Sequence, residues 1–178
     1  DLDAALDAVA LPLVAADVLG AMANMAANRV TSSEDFRAQG FAIAGEESSG
    51  LAALDVAFAA LSDNTLDLAI VAAAGFAGGA LTATTASDQA AALTLKRKSD
   101  AEAAGDRILA VLDRPDWRRS NGERTPSFIH SVYGRSEPAS ALFELGAAVS
   151  LAARGHKLTA EGAAVSLGDT TSSVTVAS

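Results

Sequence analysis

The chain has 178 residues, 13 basic against 22 acidic side chains, a net charge of −9 and no cysteine. That balance excludes a nucleic-acid surface, which needs a surplus of Lys and Arg on one face, and it opposes attraction to anionic lipid. Without cysteine there are no disulfides, thiolate metal sites or thiol nucleophiles in the chain, which suits a cytoplasmic setting.

In chain order, the first thirty residues are Ala-rich. Leu13, Val14, Val18, Leu19, Met22 and Met25 recur at three- and four-residue spacing, predicting a buried helix that ends near Asn28 and Arg29. The polar, turn-prone stretch 31–35 leads through 36–40 into a short strand at Phe41 to Ala44. From Ser48 to Leu61, Leu51, Leu54, Val56, Phe58 and many Ala predict a helix buried on most sides, with Ser48 as N-cap. The apolar run 67–74 predicts a strand covered on both faces, and Gly75 to Gly79 a loop.

Strands are expected at 90–97 and 107–112, with a short capped helix at Ser99 to Gly105 between them. Residues 113–126 read as a charged loop. A strand at Ser127 to Val132, a helix from Pro138 to Arg154 and strands near Ala163 to Leu167 and Val174 to Val176 complete the chain. The order predicts an α/β domain with mixed β-sheets between helices, spanning 1–178, its approximate halves 1–113 and 127–178 joined by 114–126.

Half of the residues are hydrophobic, yet there are only one Trp, one Tyr and six Phe. Small aliphatic side chains must fill the core, favouring tight helix-on-sheet layers over large ligand cavities. No apolar run approaches the roughly 20 residues that cross a bilayer, and the N-terminus has no secretory pattern. The opening Asp1, Leu2, Asp3 without an initiator Met reads as a segment of a longer polypeptide.

Residues 41–51, Phe-Ala-Ile-Ala-Gly-Glu-Glu-Ser-Ser-Gly-Leu, resemble the nucleophile elbow of the β-ketoacyl synthases of the thiolase superfamily. There the strand-to-helix turn reads approximately Val-Asp-Thr-Ala-Cys-Ser-Ser-Gly-Leu; here Glu47 stands at the cysteine. Upstream, 25–30 and 35–40 resemble the segment in which a helix ends in Asn/Gly-Arg-Ile and a Phe-Asp-Leu-Arg-Gly-Pro turn precedes the nucleophile strand. Downstream, 88–97 and 100–111 resemble Glu-Gly-Ala-Gly-Ala-Leu-Val-Leu-Lys-Arg, a short helix, and Gly-Asp-Arg-Ile-Tyr-Ala-Val. Residues 130–140 are similar to Lys-Ser-Asn-Ile-Gly-His-Thr-Glu-Gly-Ala-Ser, with His130 at the Lys and Arg135 at the catalytic His. Residues 168–174 weakly resemble the Gly-Gly-Thr-Asn-Ala-His-Val end, and His-Gly-Thr-Gly-Thr is missing. The resemblance implies a thiolase-like layered fold, reduced relative to a complete synthase.

Condensation needs a soft nucleophile to hold the acyl group and imidazoles to assist decarboxylation and stabilise the enolate. Glu47 is a hard carboxylate, and the always-cationic Arg135 is a poor acid or base near neutrality. The resemblance therefore implies a non-condensing structural or dimerisation domain of a polyketide or fatty acid synthase, comparable to a chain-length factor. Its partner is a second copy or another synthase-like domain. Two alternatives stand beside it: a malonyl-thioester decarboxylase using a protonated Glu47, and a module docking an acyl carrier protein through the Arg-rich loop 114–124 around Trp117.

Simpler readings accompany each residue. Glu46 and Glu47 suit a helix N-terminus; a separate alternative, resting on the implied fold, is a Glu47–Arg135 ion pair filling the vacated pocket. His130 and His156 are too few for a metal site, and His156 suits a helix end. Gly75 to Gly79 lacks the pattern of a phosphate or dinucleotide loop. No cofactor or metal is expected.

Overall fold

The structure, a computed structural model, describes residues 14–45, 49–76, 87–112, 116–119, 132, 139–154, 163–167, 170–174 and 176–177. Two compact units emerge, Asp1–Ala42 and Ile43–Ser178.

In the first unit, the single buried helix expected from the Ala-rich stretch is two helices, α1 (Ala15–Ala21) and α2 (Met25–Ser33). The break comes at Met22, whose backbone turns extended at ψ 118°. Capping starts α1: the Asp17 carboxylate accepts the Val14 N–H at 3.1 Å, satisfying a donor the helix leaves open. None of the residues of this unit whose exposure is described is buried, and Val14, Val18, Leu19 and Met22 are all about half exposed.

The polar run expected to begin a turn at Thr31 instead extends α2 to Ser33. The Thr31 hydroxyl donates to the Asn28 carbonyl at 3.0 Å and the Ser33 hydroxyl to the Val30 carbonyl at 3.1 Å, so both side chains bond within the helix. The reversal comes at Asp35, in the left-handed region at φ 51°. Gly40 then passes close to α2: a Cβ at that position would lie 2.6 Å from Thr31 Cγ2. No strand forms at 41–44, because no partner strand pairs with it among the described residues.

The second unit is organised on a hairpin. Strands β1 (Leu68–Gly75) and β2 (Gln89–Lys96) pair antiparallel, with Val71 opposite Leu93 and Ala69 opposite Leu95. Helix α3 (Ser49–Ser62) and helix α5 (Ser140–Ala152) pack on one face of this pair. Leu51, Leu54, Ala57 and Leu61 of α3 meet Ala69 and Val71 of β1 and Ala141, Leu142 and Leu145 of α5. Small aliphatic side chains fill this core, as the aromatic-poor composition predicts.

Burial is one-sided in both elements. Helix α3 hides one stripe at three- and four-residue intervals while Val56 is exposed, correcting the expectation of burial on most sides. Along β1, Ala69 and Val71 are buried while Leu68, Ile70, Ala72 and Ala74 are exposed. The run expected to be covered on both faces is thus covered on one, since the helices stand on the same side of the hairpin.

A third helix in this unit, α4 (Lys98–Ala104), ends at Gly105, whose φ of 72° is the left-handed stop that Gly adopts without steric cost. Its N–H donates to the Glu102 carbonyl and that of Asp106 to the Ala101 carbonyl. That turn, and the lack of a partner for 107–110 among the described residues, shortens the strand expected at 107–112 to β3 (Val111–Leu112).

Part of the expected charged loop is strand β4 (Asp116–Arg119), which pairs antiparallel with β6 (Thr170–Val174). Strand β6 also pairs with β5 (Ala163–Leu167), and β3 pairs with β7 (Val176–Ala177). Every pair among the described residues is antiparallel. The strand expected at 127–132 falls outside them, save residue 132.

Candidate functional site

The described residues on either side of the elbow motif are joined by a hydrogen bond. Gly45 donates its backbone N–H to the Ser49 hydroxyl at 3.0 Å, linking the residue before the elbow to the first residue of α3. Immediately beyond, Gly50 and Leu51 are buried, so the start of α3 is anchored in the core shared with β1 and α5. Among the described residues the hydroxyl at this turn is that of Ser49; the expected cap, Ser48, lies outside them, as do Glu46 and Glu47.

His130, Arg135 and His156 also lie outside the described residues. Of the Arg-rich stretch, Trp117, Arg118 and Arg119 are on β4. Gly75 closes β1. The described residues hold no group of three or more His, Cys, Asp or Glu arranged for a metal ion. They also hold no helix long and apolar enough to cross a membrane.

Two polar arrangements were not expected. In the first, the Ser140 hydroxyl, at the start of α5, donates to Gln89 Oε1 on β2 at 3.1 Å, with both residues buried. Gln89 in turn donates from Nε2 to the Ser87 hydroxyl at 3.1 Å. Glu144, one turn further along α5, is buried as well. Gln89 and Ser140 belong to two of the stretches that resemble the synthases, and the fold joins them across 51 positions of sequence.

The second arrangement centres on Arg97, between β2 and α4. Its guanidinium donates to the carbonyls of Leu61 at 3.0 Å and Leu66 at 2.6 Å. It also pairs with Asp67 at 2.7 Å and Asp100 at 2.6 Å. The hydrogen bond that the guanidinium donates to Asp67 is the largest cause raising the Arg97 pKa, opposed by partial desolvation and supported by Asp100. Reciprocally, the hydrogen bond from Arg97 is the largest cause holding the Asp100 carboxyl below the ordinary aspartate range; partial desolvation opposes it and the Ser99 hydroxyl adds to it. This is a structural clamp that completes the end of α3, where the last carbonyls lack helical partners.

Residues 7–107 match the family described as beta-ketoacyl synthase, N-terminal domain. The chain belongs to the β-ketoacyl synthase family. Membership carries the α/β fold of the thiolase superfamily, and the matched span includes the elbow, the hairpin and the Arg97 clamp.

Among solved structures, the chain is similar to two oxazolomycin ketosynthase domains of Streptomyces albus JA3453. To OzmH KS8 it is 27% identical, over 75% of this chain and 35% of that one, with a TM-score of 0.48. To OzmH KS7 it is 21% identical, over 79% of this chain and 33% of that one, with a TM-score of 0.49. The chain thus spans about a third of the length of these synthase domains. No curated protein matches it.

Proposed function

We propose that this ketosynthase-like chain is a non-condensing structural or dimerisation domain of a polyketide or fatty acid synthase, organised as one domain over 1–178. The carrying observation is the absence of cysteine from all 178 residues in a member of a family whose chemistry runs through a cysteine thioester. Glu47 stands where the elbow motif has that cysteine, and a carboxylate does not hold an acyl group as a stable thioester. His130 and Arg135 replace the Lys and His of the downstream motif, which removes an imidazole suited to proton transfer near neutrality. What the chain retains is the packed support around the elbow: the Gly45–Ser49 hydrogen bond and the buried stripe of α3. Its role is to pair with a second copy or with a synthase-like mate.

Incubation of the purified chain with malonyl-carrier protein, followed by carbon dioxide release and by mass spectrometry of the chain, tests this. The expected result is neither an acylated chain nor carbon dioxide above the carrier-only control. Carbon dioxide release that Glu47→Ala abolishes would overturn the proposal in favour of decarboxylation. Sedimentation of the chain alone and with a synthase-like mate tests the pairing, and a monomer in both experiments would sink it.

A further inference from the structure

We draw no further inference here: the strongest candidate, the exposed apolar face of the β1–β2 hairpin formed by Leu68, Ile70, Ala72, Ala74, Ala90 and Ala92, carries nothing because nothing in the structure shows what covers it.

Discussion

The guanidinium of Arg97 donates to the backbone carbonyl of Leu61 at 3.0 Å, across 36 positions of sequence. One side chain thereby finishes α3, holds the turn into β1 through Leu66 and Asp67, and meets the first turn of α4 through Asp100. These contacts differ in weight. Asp67 is 92% exposed, so its ion pair is largely screened, whereas the two carbonyls lie against the partly buried guanidinium.

Arg97→Met is expected to lower the urea midpoint of unfolding clearly, because it removes the guanidinium donor from the Leu66 carbonyl and leaves the Leu61 carbonyl only the longer bond from the Asn64 N–H. Asp67→Asn should leave the midpoint almost unchanged. Equal losses from the two substitutions would show that the ion pair, and not the carbonyl contacts, supports the turn.

The depressed Asp100 carboxyl sets a pH dependence of definite sign. A carboxyl whose folded-state pKa lies below its unfolded value contributes stability that is fully present above the unfolded value, about 3.9, and is lost as pH falls through the folded one. Urea midpoints between pH 7 and pH 2.5 should therefore fall below about pH 4. Asp100→Asn should be less stable at pH 7 and lose less on acidification. An unchanged acid limb in that variant would contradict the assignment.

Gly40→Ala should loosen the Asp1–Ala42 unit, since the new Cβ would lie 2.6 Å from Thr31 Cγ2. Thr31 cannot rotate away freely, because its hydroxyl is bonded to the Asn28 carbonyl. Overpacking of this kind costs about 1–3 kcal/mol. Hydrogen exchange of α2 amides measures it, and adding Thr31→Ser, which removes the clashing methyl, should restore most of the protection.

One-sided burial of α3 predicts a sharp contrast two residues apart. Leu54→Ala should cost about 2–5 kcal/mol, because the side chain is fully buried among α3, β1 and α5. Val56→Ala, on the exposed face, should change stability by no more than about 0.5 kcal/mol. Comparable losses in chemical denaturation would place Val56 against a packed surface.

Much of the second unit was legible along the chain. The runs at 67–74 and 90–97 are strands within one residue at either end, and the elbow helix and the Gly105 stop fall where composition and punctuation place them. Leu51, Leu54 and Leu61 were legible as buried residues of the elbow helix, but the same reading also took Val56 as buried, and it is exposed. The candidate site was legible only as a motif: Glu47, His130 and Arg135 were marked by resemblance, and no local pattern links them.

By itself the sequence determined most of the helices and strands around the hairpin, the resemblance that the elbow motif carries, and that no cysteine is present for acyl transfer. These are properties of local spacing and residue chemistry. Tertiary structure decided which apolar faces are actually buried: residues 68–74 are uniformly apolar, but α3 and α5 stand on one side of them only. It also decided that Gln89 meets Ser140, and that Arg97 completes a helix ending 35 residues before it. Contacts of that kind depend on where the chain returns, and local spacing carries no record of it.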